Sequence, residues 1–429
     1  MSKTKKRIAI LAAGGPAPGI NSVISAAAIR GIMEGNEVIG LRDGFKWIMR
    51  GDTDHYSVLT LDDVSRIHFR GGSFLGIARD NPTRQKEHLE NTINTLEKLN
   101  VDRLITIGGD DTALSAKTVE QHAAGKIRVC HVPKTIDNDL DLPHGISTFG
   151  YQTARHDGVE IVKNLMVDAK TTSRWYFVIS MGRNAGHLAL GIGKSAGATL
   201  SVIPEEFGGD KISLNRLVDI LAGAVIKRHA QGRADGVAVL AEGLLDRIDP
   251  DDLDAIGKAE RDEHNNIRYA EISFGDILKE QVQKRLAEFG MKPIIVAKNI
   301  GYELRCADPI PYDMEYTRDL GYSAAQFLID GGTGAMVSIQ GGHFVPMYFE
   351  DIMDKKTGKT RVRLVDVDSE SYMIGRRYMI RLNNVDFDDD NTISEYAKAC
   401  GISADEFRKR FSYVVDKDIF YQHEKRNKK

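Results

Sequence analysis

Short apolar runs alternate with amphipathic stretches along most of this chain. The runs are rich in β-branched residues and stop at glycines, which is typical of buried strands. In chain order they are RIAILAA, RLITIGG, IRVCHVP, RWYFVISM, ATLSVIP, GVAVLAEG, PIIVAKNIG and GAMVSIQGG. In RQKEHLENTINTLEKLN, the spacing of Leu89, Ile93, Leu96 and Leu99 predicts an amphipathic helix. This alternation predicts an α/β fold with two domains, each a mainly parallel sheet wrapped by helices.

Glycines and charged residues gather where several predicted strands stop. The stretches concerned are AAGGPAPGIN, IGGDDT, PKTIDND, SMGR, AEG and GYELR. Ligands of open α/β sheets bind outside the carboxyl ends of the strands. We therefore expect these six stretches to converge on one cleft.

Two of these stretches place a glycine pair between a strand and a helix. Gly14 and Gly15 let the backbone approach a ligand closely, and the helix that follows offers free N–H groups to an anion. The stretch is neither a Rossmann nor a Walker A loop, and alone it fits both an ordinary turn and a phosphate-binding loop. In the second stretch Asp110 and Asp111 open the helix. One aspartate would serve as an N-cap, whereas two adjacent carboxylates are easier to accept beside Mg²⁺.

Other charged residues leave more than one interpretation open. Arg79, Arg174 and Arg183 flank glycine-rich turns or an apolar strand, and arginine binds phosphate bidentately, although a single surface arginine also fits a solvated side chain. VPKTIDNDLD combines Lys134 with a series of aspartates, which fits a solvated turn, a metal site or an acid/base group. It is not an EF-hand, because Leu142 and Thr148 replace the glycine and glutamate that such a loop needs.

Composition excludes several classes of protein. The chain has 429 residues, 42% of them hydrophobic, and a formal net charge of −3, so no overall field attracts nucleic acid or a membrane. It lacks an apolar run near the roughly 20 residues of a membrane span. Three scattered cysteines favour a reducing compartment over a disulfide scaffold. We therefore expect a cytoplasmic protein whose basic ends, MSKTKKR and EKRNKK, are frayed.

At this point the motifs resemble one family, the phosphofructokinases, and within it the pyrophosphate-dependent type. The family's signatures occur in order as GGPAPG at 14–19, GGD at 108–110, TIDND at 135–139 and MGR at 181–183, followed by Glu-Gly at 242–243 and GYELR at 301–305. The resemblance covers roughly residues 7–345. It implies a phosphofructokinase fold of two Rossmann-like domains. Residues 1–150 would bind the phosphoryl donor and 151–345 the sugar phosphate, with a return crossing near 300–345. Residues 346–429, including the hairpin or linker DKKTGKTRVRL, would form an extension packed on the body.

The resemblance also implies a role for each matching residue. Asp137 would be the general base for the C1 hydroxyl of fructose 6-phosphate, with Thr135 and Asp139 holding substrate and loop. Asp110 would hold the cofactor Mg²⁺, and Arg174 would reach the sugar phosphate of a neighbouring subunit. The donor would face Gly14, Gly15, Arg79 and Lys134. The sugar phosphate would contact Thr135, Ile136, Asp137, Met181, Gly182, Arg183, Glu242, Tyr302, Glu303, Leu304 and Arg305.

Two positions distinguish the donor types. ATP-using members of the family usually carry glycine where this chain has Asp111 and Lys134. A carboxylate at 111 would repel the α-phosphate of a nucleotide, and a cation at 134 would neutralise the transferred phosphoryl group. The resemblance therefore implies a reversible Mg²⁺-dependent transfer from pyrophosphate to fructose 6-phosphate in a homodimer or homotetramer, with no nucleic-acid or membrane partner. The alternatives are the same reaction from ATP and a non-catalytic sugar-phosphate sensor. Sedoheptulose 7-phosphate is a further possible acceptor.

Overall fold

The computed structural model describes residues 7–143, 145–209, 211–256, 272–354 and 360–415. The chain divides into two compact units. Unit 1 combines Met1–Asp157 with Tyr302–Arg363, and unit 2 combines Gly158–Gly301 with Leu364–Lys429. The basic chain ends, predicted to be frayed, and positions 355–359 of the predicted hairpin or linker lie outside the described residues, apart from Arg7.

Strands and helices alternate through both units. The strands are β1 (Arg7–Ala12), β2 (Glu37–Leu41), β3 (Tyr56–Val58), β4 (Val101–Gly108), β5 (Arg128–Thr135), β6 (Phe149–Gly150), β7 (Trp175–Ser180), β8 (Leu200–Val202), β9 (Gly236–Ala241), β10 (Ile295–Ile300), β11 (Ala335–Gln340) and β12 (His343–Tyr348). The helices are α1 (Ile20–Met33), α2 (Leu61–Val64), α3 (Lys86–Lys98), α4 (Asp110–His122), α5 (Tyr151–Thr172), α6 (His187–Ala196), α7 (Leu214–Ala230), α8 (Pro250–Ala255), α9 (Phe274–Ala287), α10 (Tyr302–Arg305), α11 (Pro311–Ile329), α12 (Phe349–Ile352), α13 (Glu370–Arg377), α14 (Asn384–Asp388), α15 (Asp390–Cys400) and α16 (Ala404–Phe411). The predicted fold class, mainly parallel sheets wrapped by helices, is confirmed.

Unit 1 is organised around an eight-stranded sheet. Its order is β12-β11-β5-β4-β1-β2-β3, and β6 pairs with β5. The inner pairs are parallel, while β3 and β12 lie antiparallel at the two edges. From β1 the chain builds outward through β2 and β3, and then returns to place β4 on the other side of β1. Such a reversal opens a crevice at the carboxyl ends of the two central strands, which is where ligands of these folds bind.

Helix α3 of unit 1 packs through the apolar face that its sequence predicts. Along α3, Leu89 and Leu96 are buried in the core beneath the sheet, and Ile93 packs against the same cluster. Helices α1 and α11 approach each other at Gly321, where a Cβ atom would lie 2.4 Å from the backbone oxygen of Val23. Burial of these stripes, rather than intrinsic propensity, supplies most of the stability of such helices.

Unit 2 contains a four-stranded, fully parallel sheet of order β10-β7-β9-β8. Its central strand β7 is buried along its whole length. Ser180 at the end of β7 is in register with Ala241 of β9 and Ile300 of β10. The residues that follow these three strands therefore leave the sheet at one edge.

The segment 346–429, predicted as one extension, is shared between the units. Up to Arg363 it belongs to unit 1, and from Leu364 it belongs to unit 2. In unit 2 a buried ion pair joins α14 to α7, because Lys227 Nζ lies 2.7 Å from Asp386 Oδ2. Lys227 also donates to the carbonyl oxygen of Arg381 at 2.9 Å, and the Tyr396 hydroxyl donates to Asp386. These contacts fix the last helices on the body of unit 2.

Two further observations bear on the predictions from composition. Cys130, Cys306 and Cys400 are all free thiols. No helix within the described residues is long and apolar enough to cross a membrane.

Candidate active site

The loop after β1 is hydrogen-bonded to the end of β4 and to Ala78 in unit 1. Ala13 donates to the carbonyl oxygen of Ile107, and Gly14 donates to that of Ala78, each at 2.9 Å. Gly14 has φ of +90°, a conformation that glycine adopts without strain. At Gly15 a Cβ atom would lie 2.8 Å from a guanidinium nitrogen of Arg305. The glycine pair therefore leaves room for the backbone to pass between Ala78 and the Arg305 side chain. A phosphate-binding loop needs glycine for the same reason, because its backbone must approach the ligand closely.

The GGD turn follows β4 beside this loop. Ala12 of β1 is in register with Ile107 of β4, so both strands end at the same edge. Helix α4 begins at Asp110 and carries Asp111 in its first turn. The positive end of the helix dipole stabilises carboxylates at that position. Asp110 is partly buried and accepts a hydrogen bond from the Thr360 hydroxyl, whereas Asp111 is exposed.

Lys134, the last residue but one of β5, is a buried cation at this edge of the sheet. Its side chain is 5% exposed, and Nζ donates to the carbonyl oxygen of Gly15 at 2.5 Å. Burial lowers the pKa of Lys134 to about 8; Asp137 and Asp139 oppose this shift, and Arg305 and Arg79 add to it. The ammonium therefore lies among groups of both signs.

Below this edge, His131 supports the GGD turn. The ring is fully buried, with Nε2 3.1 Å from the carbonyl oxygen of Gly108 and Nδ1 2.8 Å from the Thr106 hydroxyl. Burial lowers the pKa of His131 to about 3, and the Lys134 charge acts in the same direction. The imidazole is therefore neutral near pH 7, and the contact at Gly108 requires the proton on Nε2.

The TIDND loop follows Lys134 directly. Ile136 is buried, Asp139 is 7% exposed, and the Asp137 amide donates to the Thr135 hydroxyl at 3.0 Å. Asn138 between the two aspartates has φ of +57°. This local turn places Asp137, partly buried, close to the Lys134 charge.

Four residues of the predicted sugar site, Tyr302–Arg305, form the short helix α10 in unit 1. Leu304 is fully buried and anchors the helix, while Tyr302 is 75% exposed and Glu303 is exposed. The Arg305 guanidinium lies 4.8 Å from the centre of the Tyr302 ring, a cation–π contact, and reaches Gly15. Arg79 is exposed. Unit 1 thus brings together Gly14, Gly15, Asp110, Lys134, the TIDND loop and Arg305.

Unit 2 brings together the remaining predicted residues at the carboxyl edge of its sheet, with one exception. The Met181 amide donates to the carbonyl oxygen of Ile300, and the Gly243 amide donates to that of Gly182. Gly182 has φ of +129°, and a Cβ atom at Gly243 would lie 2.2 Å from the Arg183 oxygen. The Arg183 guanidinium is 3.9 Å from Glu242 and remains 55% exposed. This edge therefore presents a solvated cation that is free to meet an anionic ligand.

Arg174 is the exception. It precedes β7, whereas Met181 follows it, so the two lie at opposite ends of a six-residue strand. A strand of that length separates its ends by about 20 Å. Arg174 instead lies 3.8 Å from Asp168 of α5. Within unit 2, Arg174 is therefore not part of the group that contains Arg183.

The motifs did not indicate three residues that contact this site. The His131 ring donates to the carbonyl oxygen of Gly108 in the turn before Asp110, and the Thr360 hydroxyl donates to Asp110. Arg363 donates to Asn138 Oδ1, to the Asn138 carbonyl oxygen at 3.1 Å and to the Ile146 carbonyl oxygen at 2.7 Å. His131 had a signal, since it alternates with apolar residues inside a buried strand. Thr360 and Arg363 had none, because they lie more than 200 residues further along the chain.

The donor set can be compared with what Mg²⁺ requires. No group of three or more His, Cys, Asp or Glu side chains suited to a metal occurs in the part of the chain that the structure describes. Mg²⁺ at phosphoryl-transfer sites is typically held by one or two carboxylates, with water and substrate phosphates completing the shell. Asp110 and Asp111 at the start of α4, beside a glycine-lined loop, fit that mode.

Comparisons with known proteins show the family and the fold of this chain. A family model described as phosphofructokinase matches residues 7–328. A pyrophosphate–fructose 6-phosphate 1-phosphotransferase of Thermotoga maritima is 50% identical over 416 residues, which cover 96% of this chain and 99% of that protein. Its counterpart from Naegleria fowleri is 47% identical over 422 residues, covering 96% and 97%. The crystal structure of a pyrophosphate-dependent phosphofructokinase from Nitrosospira multiformis matches with a TM-score of 0.66 and 16% identity, over 93% of this chain and 92% of that one, a likeness of fold.

Proposed function

The chain belongs to the phosphofructokinase family, and from this premise we propose that it transfers a phosphoryl group reversibly between pyrophosphate and fructose 6-phosphate. The products of the forward reaction are fructose 1,6-bisphosphate and phosphate. The observation that carries the proposal is Lys134, a buried cation bonded to the glycine loop and flanked by the TIDND carboxylates. Phosphoryl transfer depends mainly on positioning and on neutralising charge, and this edge of unit 1 supplies both.

Unit 1 binds the donor in this proposal. Gly14 and Gly15 offer close backbone approach, while Lys134 and Arg79 supply positive charge to pyrophosphate. Asp110 would hold Mg²⁺, with Asp111 beside it, and the bound ion would neutralise negative charge on the phosphate oxygens. Lys134 lies nearest the transferred group and stabilises the charge that develops on the phosphate leaving group.

Asp137 acts as the general base. The C1 oxygen attacks the terminal phosphorus, the bond from that phosphorus to the bridging oxygen breaks, and the electron pair leaves with phosphate. Asp137 accepts the proton of the C1 hydroxyl. The Thr135 hydroxyl, bonded to the Asp137 amide, holds the base in place, and buried Asp139 holds the loop.

In unit 2, the residues proposed to recognise the sugar phosphate lie at the carboxyl edge of the sheet. Arg183 offers two parallel N–H groups to the 6-phosphate, and Glu242 accepts from sugar hydroxyls. Further contacts come from Ile136, Met181, Gly182, Tyr302, Glu303, Leu304 and Arg305. We expect Arg174, at the other end of β7, to reach the sugar phosphate of a neighbouring subunit in a homodimer or homotetramer. Free thiols and sugar-phosphate substrates favour the cytoplasm as its location.

Asp111 and Lys134 support pyrophosphate over ATP. Asp111 is exposed in the first turn of α4 and would oppose the α-phosphate of a nucleotide. Asp110 and Asp137 are both present, as a catalytic chain requires and a non-catalytic sensor does not.

Initial rates with fructose 6-phosphate and Mg²⁺ test the proposal, with pyrophosphate and ATP compared at matched concentrations. Turnover with pyrophosphate but not ATP is expected. Turnover with ATP alone would overturn the assignment of Asp111 and Lys134 while leaving the sugar site intact. Absence of turnover with both donors, in protein that still binds fructose 6-phosphate, would favour the sensor.

A further inference from the structure

Residues 360–363, which we call the clasp, run along the TIDND loop in unit 1. Val362 pairs with Leu140 in an antiparallel bridge, and the Arg363 amide donates to the carbonyl oxygen of Asp139 at 2.8 Å. The clasp therefore adds a short strand-like edge to a loop that connects β5 with β6 and has little regular structure of its own.

The Arg363 side chain ties together both ends of that loop. Its Nε donates to the Asn138 carbonyl oxygen at 3.1 Å, and its Nη1 donates to the Ile146 carbonyl oxygen at 2.7 Å. Its Nη2 donates to Asn138 Oδ1, which also accepts from the Thr148 amide at 2.9 Å. One planar guanidinium thus holds the start of the loop, at 138, against its end, at 146–148.

These contacts fall on the residue that sets the direction of both neighbouring carboxylates. Asn138 has φ of +57°, a left-handed conformation that is strained for most L-residues and that asparagine tolerates better than most. Asp137 precedes it and Asp139 follows it, so any relaxation of this turn rotates the two side chains. At the other end of the clasp, the Thr360 hydroxyl, in a residue that is 8% exposed, bonds Asp110 Oδ1.

We propose that Arg363 is a positioning residue for phosphoryl transfer, which fixes the direction of Asp137 through Asn138, and that Thr360 does the same for Asp110. The proposal rests on the proposed function, in which Asp137 is the base and Asp110 holds the metal. Arg363 acts without touching substrate. Its removal should slow the transfer step and leave substrate binding nearly unchanged.

Steady-state kinetics of Arg363→Ala test this. We expect kcat to fall about 10- to 100-fold, the effect of a reacting group displaced by about 1 Å, with both KM values changed less than about threefold. Arg361→Ala is the matched control, because that side chain is 68% exposed and lies 3.7 Å from Asp141. It should keep the wild-type kcat. A rise in KM at unchanged kcat for Arg363→Ala would overturn the proposal.

A double-mutant cycle separates positioning from general support of the fold. If Arg363 acts through Asp137, adding Arg363→Ala to Asp137→Ala should lower kcat by less than about threefold further. A purely structural role would multiply the two losses, and that result would overturn the proposal. If Arg363→Ala does not fold, Arg363→Lys replaces it, since lysine keeps the charge but donates from a single nitrogen and lacks the planar guanidinium that spans Asn138 and Ile146.

Amide hydrogen exchange on the full chain gives a measure that does not depend on activity. In Arg363→Ala, amides of residues 136–148 should exchange at least about tenfold faster, while those of β4 keep their protection. Arg361→Ala should match the wild type. Unchanged protection at 136–148 would overturn the proposal. If the wild type lacks turnover with pyrophosphate, the proposed function fails, and exchange alone then decides whether the clasp holds the loop.

Discussion

Lys134 in unit 1 and Lys227 in unit 2 are both buried lysines, 5% and 9% exposed, but their surroundings differ. The Lys227 ammonium meets both carboxylate oxygens of Asp386, at 2.8 and 2.7 Å, and the carbonyl oxygen of Arg381, at 2.9 Å. All three of its protons are thereby used. The Lys134 ammonium bonds the Gly15 carbonyl oxygen and lies among two carboxylates and two guanidinium groups.

The difference shows that a buried lysine can either stabilise the fold or bind a ligand, depending on its partners. At Lys227 a complete local pairing offsets the desolvation of the charge, and the result is a fixed connection between α7 and α14. At Lys134 burial lowers the pKa to about 8, because the surrounding charges oppose one another and do not offset the desolvation. An anion that binds there would supply the compensation that the protein alone does not. The first lysine is suited to stability and the second to a ligand.

Removing the acidic neighbour of Lys134 should have the largest effect. In Asp137→Ala we expect kcat to fall by about 10²- to 10⁴-fold, the range for loss of a general base, with binding of fructose 6-phosphate nearly unchanged. Steady-state rates and sugar binding by calorimetry measure the two separately.

The control is Asp141→Ala in the same loop, whose carboxylate is 48% exposed. It should retain turnover within about threefold. Normal turnover in Asp137→Ala would show that this carboxylate is not the base.

Breaking the pair at Lys227 should affect stability rather than chemistry. Lys227→Met leaves Asp386 buried without its cation, which costs about 3–5 kcal/mol. Urea unfolding followed by fluorescence and by circular dichroism measures the loss. The same substitution at Lys163, in an ion pair whose partners are each 53% exposed, should cost less than about 1 kcal/mol. Equal losses in the two variants would show that the buried pair at Lys227 stabilises unit 2 no more than an exposed pair does.

Much of the fold could be predicted because the responsible signals are local. All eight apolar runs form strands, since each is a continuous β-branched segment that ends at a turn. The strands that were not predicted are short or interrupted: β3 has three residues, β6 has two, β2 contains a glycine and β12 contains Pro346. Such segments become strands through their neighbours in the sheet rather than through their own pattern.

The residues of the site divide in the same way. Glycines and charges at strand ends are visible along the chain, so Gly14, Lys134 and Asp137 could be found there. Arg363 contacts Asn138 across 225 positions, and only the completed fold joins them. Arg174 shows the converse. It lies close to Arg183 in the sequence, but β7 separates the two residues in the fold.

An exposed cation extends the comparison. Arg183 is 55% exposed and 3.9 Å from Glu242, so neither burial nor a close partner fixes it before a ligand binds. In Arg183→Ala we expect KM for fructose 6-phosphate to rise about 10- to 100-fold, with a smaller change in kcat, because the contact forms in ground and transition states alike. Arg410→Ala, an arginine of the same unit paired with Glu406, is the control and should leave KM unchanged. An unchanged KM in Arg183→Ala would place the sugar phosphate elsewhere.

The pH dependence of the reaction with pyrophosphate tests the lowered pKa of Lys134. The pKa of about 8 lies below the ordinary 10.5, so the free enzyme loses this positive charge as pH rises above 8. The value of kcat/KM for pyrophosphate should then fall by up to about tenfold per pH unit, because kcat/KM reports the ionisation of the free enzyme. Initial rates at low pyrophosphate between pH 7 and 10 measure this decline. In Lys134→Met, kcat/KM for pyrophosphate should be lower at every pH and should decline less steeply above pH 8. A smaller decline should remain, because pyrophosphate and other groups titrate in both proteins.

Stability provides a check that needs no substrate. Between pH 8 and 10.5 the unfolded chain keeps its proton on Lys134 while the folded chain has released it, so the unfolded state binds more protons and stability rises with pH. The free energy of unfolding of the wild type relative to Lys134→Met should therefore increase across that window and be flat below it. A flat difference across that window would show that burial does not depress the pKa of Lys134, and the contrast with the fully paired Lys227 would then rest on hydrogen bonding alone.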